Sequence, residues 1–210
     1  MRLQYIAIEG VIGVGKTSLA EKLADYFDAK LILEKHEENP FLADFYENPR
    51  QFAFPAQLFF LLSRYRQQQE IPQGELFHQL LVSDYIFAKD RIFASINLED
   101  REFLLYDKIA SLLEQDIPRP DLVLYLQSST ERVLANIRKR NRDYERNITE
   151  DYIRVLNEAY NQFFINYDAS ALLIINATEI DFVNRDEDFH DLVAQITRPV
   201  SKTQYYSPAK

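Results

Sequence analysis

Three of the four glycines in this 210-residue chain lie within six consecutive positions near its amino terminus. The stretch "GVIGVGKT" at residues 10–17 fits the pattern G-x-x-x-x-G-K-S/T, whose glycines let several backbone N–H groups point at one phosphate chain. In this pattern the lysine reaches the terminal phosphates and the hydroxyl residue binds magnesium. We therefore predict a site for ATP or another nucleoside triphosphate with Mg²⁺, built from Gly10, Gly13, Val14, Gly15, Lys16, Thr17 and Ser18.

Two carboxylates follow short apolar runs that have the pattern of parallel strands. Glu34 closes the run "KLILE", and Asp84 ends the stretch "QLLVSD". An open parallel sheet binds ligands at the carboxyl ends of its strands, so Glu34 can accept the proton of a hydroxyl group and Asp84 can bind the metal with Thr17. A solvated strand-end carboxylate is the other interpretation of Glu34, and a helix N-cap is that of Asp84.

Two further segments carry polar groups suited to a substrate. The stretch "RKRNRDYER" (138–146) holds five arginines and lysines, which is typical either of a solvated helix end or of a lid that clamps phosphates. In the apolar stretch "FAFPAQLFFLLSRYR" (52–66), Gln57 and Arg64 are seven residues apart and lie on nearly the same helix face. An amide and a guanidinium among aromatic rings suit a nucleobase, unless Arg64 simply reaches solvent at the helix end.

The hydrophobic pattern predicts a scaffold that brings these groups to one edge. Five apolar runs read as strands, with helical patterns between them: residues 3–9, 30–34 and 79–84, and the runs from Asp121 and Leu172. Strands that alternate with helices form a parallel sheet covered on both faces. We predict an α/β fold of the P-loop kinase type, three layers deep, with a five-stranded parallel sheet and an arginine-rich lid. We expect one domain over residues 1–197 and a loose tail over residues 198–210, which show no periodicity.

Composition and missing motifs exclude several protein classes. A formal net charge of −9 argues against binding a nucleic-acid polymer, which requires basic patches. No stretch is long and apolar enough for a membrane span, and the amino terminus lacks the features of a secretory signal, so we expect a cytoplasmic protein. A regulatory GTPase would need a D-x-x-G switch, yet the only glycine outside the loop is Gly74, and the residue three positions before it is Ile71. A motor or transporter ATPase is usually larger or carries a signature helix that this sequence lacks. Small-molecule kinases are the remaining class of phosphate-loop protein.

Taken together, these residues resemble the deoxyribonucleoside kinase family. The resemblance rests on "IEGVIGVGKTSLAEKL", "LEKHEENPFLADFYENPRQFAFPAQLFFLLSRYR", "AKDRIFASINL" and "IRKRNRDYERNITEDYIRVLNEAY". It implies a magnesium-dependent kinase that transfers the γ-phosphoryl group of ATP, or of another nucleoside triphosphate, to the 5′-hydroxyl of a deoxyribonucleoside. It also implies a homodimer, and a preference for deoxyadenosine, deoxyguanosine or deoxycytidine over thymidine.

The same resemblance implies roles for individual residues. Glu34 would be the base that accepts the proton of the 5′-hydroxyl, and Tyr46 and Glu145 would bond the 3′-hydroxyl. Gln57 and Arg64 would hold the edge of the nucleobase, and Arg140 and Arg142 would close on the phosphates. Arg64 would act on the nucleobase together with a paired aspartate.

One segment departs from the family pattern, in which an acidic residue and an arginine are followed by an aspartate that reads the nucleobase. Here Asp84 is followed by Tyr85, so the arginine is missing. We prefer the alignment that keeps Asp84 beside the phosphate loop and puts Asp90 at the base-reading position. Arg91, Arg138 or another lid arginine would then replace the missing cation.

A second alignment and two rival functions stay open. The second alignment makes Asp84 face Arg64, stacks Phe87 on the nucleobase and puts His78 with Gln79 at the acidic and arginine positions. The first rival function is another P-loop small-molecule kinase or a nucleoside monophosphate kinase. The second is a nucleotide-binding regulator that lost turnover together with the missing arginine.

Overall fold

The computed structural model describes residues 3–69, 71, 80–200 and 202–208, whose centre is a parallel β-sheet. Its strands are β1 (Tyr5–Glu9), β2 (Lys30–Ile32), β3 (Leu81–Ser83), β4 (Leu122–Gln127), β5 (Ala171–Asn176) and β6 (Thr203–Tyr206), in the spatial order β2-β3-β1-β4-β5-β6. Strands buried on both faces read as continuous apolar runs, and "YIAIE", "LVLYLQ" and "ALLIIN" of β1, β4 and β5 do so. The predicted α/β fold is confirmed.

Helices connect the strands and cover the sheet. In the described residues they are α1 (Lys16–Phe27), α2 (Leu42–Glu47), α3 (Pro49–Gln69), α4 (Lys89–Asn97), α5 (Asp100–Leu113), α6 (Thr130–Arg140), α7 (Glu150–Ile165) and α8 (Asp186–Ile196). The rings of Tyr125, Tyr160 and Phe164 stack where α7 packs on β4, with the nearest centroids 4.2 Å apart. Within the described part of the chain, no helix has the length and hydropathy needed to span a bilayer.

The prediction of five strands was wrong, because the sheet has a sixth. The extra strand, β6, pairs in parallel with β5, with Thr203 opposite Leu172 and Tyr206 opposite Ile175. It lies inside the segment expected to be a loose tail, so residues 203–206 at least are ordered by the sheet edge. Most of its side chains are exposed, and a four-residue strand at a solvated edge carries no apolar run that a sequence pattern can detect.

The sheet brings the predicted groups to one edge. The phosphate loop follows β1, Glu34 follows β2 and Asp84 follows β3, and these three strands are neighbours in the order β2-β3-β1. All strands run in the same direction, so these three segments leave the sheet at the same end. The loop after β3 leads directly into α4, which begins at Lys89.

Candidate active site

The phosphate loop has a backbone conformation that its glycines make possible. Gly13 has a φ of +84°, and a Cβ atom there would lie 2.7 Å from Cγ1 of Ile137. Gly10 has a φ of +148°, and a Cβ atom there would lie 2.6 Å from the carbonyl oxygen of Leu126. Only glycine fits both positions, so the loop can wrap closely around a ligand at the start of α1.

Lys16, the first residue of α1, is turned back onto this loop. Its Nζ donates hydrogen bonds to the carbonyl oxygens of Gly10 and Val11 at 2.8 and 3.1 Å. Burial, and then the charge of Lys89, lowers the pKa of Lys16 to about 8. An anion on the loop would satisfy this ammonium group better than two carbonyl oxygens do.

Thr17 and Asp84 meet beside the loop. The hydroxyl of Thr17 donates a hydrogen bond of 2.6 Å to Oδ2 of Asp84, whose Oδ1 accepts from the backbone N–H of Glu34 at 2.8 Å. A hydroxyl and a carboxylate oxygen are the ligands that Mg²⁺ prefers, so the pair fits this metal. In the described residues no group of three or more histidine, aspartate and glutamate side chains is placed to hold a metal ion. Mg²⁺ usually binds one or two carboxylates together with substrate phosphates and waters, and these would be its remaining ligands here.

Glu34 receives a different cation on each carboxylate oxygen. Its Oε2 accepts a hydrogen bond of 2.8 Å from Nζ of Lys89, and its Oε1 contacts the guanidinium of Arg64. The carboxylate is mostly buried, with 16% of its side chain exposed. Burial alone would raise the pKa of Glu34, but the charges of Arg64 and Lys89 and their hydrogen bonds hold it well below its usual range. The carboxylate is therefore ionised, as a proton acceptor must be.

Arg64 joins Glu34 to Asp90. Its NH1 group pairs with Asp90, which is buried behind it, and its guanidinium lies 5.0 Å from the ring centroid of Phe60. With Asp84 on Thr17 and Asp90 on Arg64, the contacts have the arrangement of the preferred alignment.

The second alignment fits these contacts poorly. Phe87 does not face the cavity that holds Arg64, because it is buried in the cluster of Leu61 and Tyr106 between α3, α4 and α5. The alignment's other two residues, His78 and Gln79, lie outside the described residues. The stacking of Phe87 on a nucleobase is thus not what the structure favours.

A cavity opens in front of Glu34 and Arg64. It is lined by side chains from the phosphate loop, from the segments after β2 and β3, from α2, α3 and α4, and from the lid, among them Lys16, Thr17, Glu34, Tyr46, Gln57, Phe60, Arg64, Asp84, Lys89, Arg140, Arg142, Tyr144 and Glu145. Gln57 is 3% exposed, and its Oε1 is buried without a hydrogen-bond partner in the described chain. An unsatisfied buried hydrogen-bond acceptor at a cavity wall is suited to a ligand that brings a hydrogen-bond donor. We name this space the acceptor cavity, after the phosphoryl acceptor that the sequence predicts beside Glu34.

The lid, residues 138–146, forms part of the wall of the acceptor cavity. α6 ends at Arg140, Asn141 takes a left-handed φ of 49°, and a short 3₁₀ turn follows. The buried carboxylate of Glu145 accepts from Nε of Arg140 at 2.7 Å, and Tyr144 stacks on Tyr46 with ring centroids 6.3 Å apart. Burial raises the pKa of Tyr46 well above its usual value, so its hydroxyl stays protonated. The lid and the acceptor wall thus share one cluster of side chains.

Two charged residues around Glu34 and the phosphate loop were not predicted from the sequence. Lys89, whose ammonium group pairs with Glu34, had no spacing signal that set it apart. Glu9 ends β1, and its buried carboxylate accepts from the N–H groups of Gly10 at 3.0 Å and Ile86 at 2.9 Å, which ties the loop to the segment before α4. The signal that pointed to Glu34, a carboxylate closing an apolar run, could have found Glu9.

The two named substitutes for the missing arginine lie elsewhere. Arg91 points at α5, where its guanidinium is 2.9 Å from Asp107 and also pairs with Glu114. Arg138 is exposed and lines neither the acceptor cavity nor the cavity over the phosphate loop. In the described chain, the cation that reaches Glu34 from α4 is Lys89.

A second cavity lies on the other side of the phosphate loop. Its walls come from the loop, from α6 and from the segment after β5: Gly13, Val14, Gly15, Lys16, Thr17, Ser18, Arg132, Asn136, Lys139, Arg140, Arg142, Asp181, Phe182 and Asn184, with four apolar neighbours. The segment after β5 was not predicted as part of the site, although it leaves the sheet at the same end as the other loops. We name this space the donor cavity. Arg140 and Arg142 line both cavities, so the lid spans the junction between them.

Comparison with known proteins identifies the family. A family model described as "Deoxynucleoside kinase" matches residues 6–201. The chain is 34% identical over 197 residues to a deoxyguanosine kinase of Bacillus subtilis, covering 91% of this chain and 95% of the relative. It is 36% identical over 162 residues to a deoxyadenosine kinase of Dictyostelium discoideum, covering 76% of this chain and 66% of the relative.

The fold of this chain is shared with a solved structure. The deoxyadenosine kinase of M. mycoides with bound dATP matches with a TM-score of 0.81 at 24% identity, covering 93% of this chain and 100% of that chain. The family model and the Bacillus subtilis relative confirm the resemblance inferred from the sequence motifs. The chain belongs to the deoxynucleoside kinase family, and its reaction is the phosphorylation of a deoxyribonucleoside.

Proposed function

We propose that this kinase transfers the γ-phosphoryl group of ATP, or of another nucleoside triphosphate, to the 5′-hydroxyl of a deoxyribonucleoside. One observation carries the proposal: Glu34 and Arg64 line the same cavity as Lys16 of the phosphate loop. A nucleoside with its base against Arg64 would have its sugar hydroxyl near Glu34 and the terminal phosphate of the donor near Lys16. Such positioning, with charge neutralisation, supplies most of the catalysis in phosphoryl transfer.

In the proposed reaction the 5′-hydroxyl oxygen bonds to the γ-phosphorus while the bond to the leaving diphosphate breaks. Glu34 accepts the hydroxyl proton. Lys16 exchanges its two carbonyl contacts for phosphate oxygens, and Arg140 and Arg142 neutralise the charge that develops on the transferred group. Magnesium held by Thr17 and Asp84 would supply further charge neutralisation at the phosphates.

Tyr46 and Glu145 would hold the 3′-hydroxyl of the sugar. Both line the acceptor cavity near the lid, and Glu145 is already fixed by Arg140. This pairing would couple sugar binding to lid position, because the carboxylate that meets the sugar also carries the lid arginine.

The nucleobase would be read by Gln57 and by Arg64 with Asp90 behind it. The free Oε1 of Gln57 needs a donor, which an exocyclic amino group of adenine, guanine or cytosine, or the ring N3–H of thymine, can supply. The resemblance to the family associates a paired arginine and aspartate, here Arg64 and Asp90, with amino-substituted bases, so we propose a preference for deoxyadenosine, deoxyguanosine or deoxycytidine over thymidine. Relatives named as deoxyguanosine and deoxyadenosine kinases support the purine choice.

The donor nucleoside would occupy the donor cavity. Ser18 at the start of α1 and Arg132 of α6 line this cavity together with Phe182. A flat apolar ring and a guanidinium are suitable surfaces for a nucleobase. The donor's phosphates would then pass over the loop toward Lys16, which lines both cavities.

A turnover panel tests the proposed function. Release of the nucleoside diphosphate, ADP from ATP or GDP from GTP, is measured with four deoxyribonucleosides and the matching nucleoside monophosphates. We expect turnover with deoxyadenosine or deoxyguanosine, less with deoxycytidine and least with thymidine. Turnover of monophosphates alone would indicate a nucleoside monophosphate kinase, and binding without release of the nucleoside diphosphate would indicate a regulator.

Magnesium use is tested separately. We expect EDTA to abolish turnover and added Mg²⁺ to restore it. Thr17→Val, which removes the hydroxyl and keeps the shape, should raise the Mg²⁺ concentration needed for half-maximal rate. Full activity in EDTA would contradict the metal role of Thr17 and Asp84.

We also propose that the enzyme works in the cytoplasm as a homodimer. Three leucines on one side of α5 are exposed, Leu104 at 62%, Leu105 at 52% and Leu112 at 69%, and Leu62 of the adjoining α3 is 42% exposed. Several exposed leucines on two packed helices are typical of a protein interface. A second copy of the chain would cover it.

A further inference from the structure

Lys89 occupies a buried position in the acceptor cavity. It is the first residue of α4, and only 5% of its side chain is exposed. Its stem passes Phe93, whose ring centroid is 5.8 Å from Nζ, and Nζ lies 2.8 Å from Oε2 of Glu34. A buried ammonium group needs an anion, and within the described residues Glu34 is the carboxylate that pairs with it.

The two cations on Glu34 are not equivalent. Arg64 contacts Glu34 through NH2 and Asp90 through NH1, so Asp90 still neutralises it when Glu34 is occupied. Lys89 has no second ion pair in the described chain. A substrate hydroxyl that donates to Glu34 must displace one of these contacts, and Lys89 is the cation that then needs a new anion.

Lys89 and Lys16 face the same space. Both line the acceptor cavity, and their charges are close enough to act on each other. The ammonium of Lys16 donates to backbone carbonyl oxygens. Two buried cations repel each other unless an anion lies between them. A phosphoryl group in transfer carries its charge on three equatorial oxygens, and its path runs between the phosphate loop and Glu34.

From this geometry we propose that Lys89 is a catalytic residue, which first holds Glu34 and then donates a hydrogen bond from Nζ to an oxygen of the transferred phosphoryl group. The proposal rests on the proposed function, because it places the donor phosphate between Lys16 and Glu34. In the step, the acceptor oxygen bonds to phosphorus as the bond to the diphosphate breaks. The hydroxyl proton goes to Glu34, and Lys89 keeps its own protons.

The test compares Lys89→Met and Lys89→Arg in the full chain. Methionine keeps the buried stem without the charge, so we expect kcat to fall by about 100-fold or more, the scale of a lost charge-stabilising donor. The KM values for ATP and nucleoside should change by less than about threefold, because the new contact forms in the transition state. Lys89→Arg keeps a cationic donor and should recover at least about tenfold of that loss.

Arg91→Gln is the matched control. Arg91 lies two residues further along α4 and also forms ion pairs, but these pairs are partly exposed and run to Asp107 of α5 and to Glu114 just after it. We expect its kcat to stay near the wild-type value. Thermal melting of every variant separates loss of catalysis from loss of folding, and Lys89→Gln serves as a second uncharged variant should Lys89→Met not fold.

Three results would overturn the proposal. One is a kcat of Lys89→Met within about threefold of wild type. Another is an equal loss in Arg91→Gln, and the third is a Lys89→Arg enzyme that folds but is as slow as Lys89→Met.

ATP hydrolysis without nucleoside provides a readout that needs no acceptor. If the wild type uses another acceptor, the proposed function fails, yet the rates of Lys89→Met with that acceptor and with water still decide the role of Lys89.

Discussion

At the scale of single residues, the site is a row of alternating buried charges. Arg64 lies between Asp90 and Glu34, and Lys89 lies between Glu34 and the space that faces Lys16. Removing one member of such a row leaves its neighbour buried and unpaired, which costs about 3–5 kcal/mol in comparable cases. Variants in this row must therefore be judged by folding as well as by rate.

The first prediction concerns Glu34 as the acceptor of the hydroxyl proton. We expect Glu34→Gln to lower kcat by about 100-fold or more, because an amide cannot accept the hydroxyl proton. ATP affinity, measured by calorimetry, should stay near wild type, because the Glu34 side chain contacts Arg64 and Lys89 and not the loop. The control is Glu37→Gln at a carboxylate that is 78% exposed. Near-normal turnover would remove Glu34 from the mechanism.

The second prediction concerns Gln57, whose Oε1 is buried without a partner. We expect Gln57→Leu to raise the free energy of unfolding by about 1 kcal/mol, because an unsatisfied polar group is replaced by an apolar one. The same change should raise the KM for the nucleoside and leave that for ATP unchanged. Urea unfolding and steady-state kinetics measure both, with the exposed Gln162→Leu as control. Loss of both stability and ATP affinity would indicate a structural glutamine.

At the scale of elements, the lid and the segments beside the last strand complete the two cavities. The lid follows α6, which ends where Asn141 adopts a left-handed conformation that changes the direction of the chain. Arg140 and Arg142 thereby reach both cavities. The segment after β5 forms the far wall of the donor cavity, and β6 covers the outer edge of β5.

The third prediction concerns β6. A chain that ends at residue 199 lacks this strand, so the outer backbone groups of β5 lose their partners. We expect the free energy of unfolding to fall by about 2 kcal/mol and the melting temperature by about 5 °C. The KM for the nucleoside should not change, because the acceptor cavity is built around β1, β2 and β3. An unchanged melting temperature would mean that β6 adds no stability to the sheet.

At the scale of the whole molecule, the exposed leucines of α5 form the interface that we propose between two copies of the chain. The fourth prediction is that Leu104→Glu combined with Leu112→Glu converts a dimer into a monomer, because two charges per chain would face each other in an apolar contact. Sedimentation velocity measures the mass against the 24.8 kDa of one chain. Tyr205→Glu, at a 72% exposed side chain of β6, is the control. A wild-type monomer, or a dimer that survives both leucine changes, would contradict the proposed interface.

Part of this molecule follows from its sequence because the relevant signals are local. The spacing of glycines, lysine and threonine determined the phosphate loop, and its place between an apolar run and a helical pattern determined how it is held. Carboxylates that close apolar runs indicated Glu34 and Asp84, since parallel strands leave the sheet at one end. The seven-residue spacing of Gln57 and Arg64 put both on one helix face.

Tertiary structure alone decided which side chains from different elements meet. Lys89 pairs with Glu34, Arg91 turns to α5, and Phe87 joins a core cluster, although all three lie within five residues of one another. Their directions depend on how α4 packs against α3, α5 and the sheet, and no periodicity in the sequence carries that information. The same holds for β6, whose four mostly exposed residues become a strand because β5 offers an open edge with unpaired backbone groups.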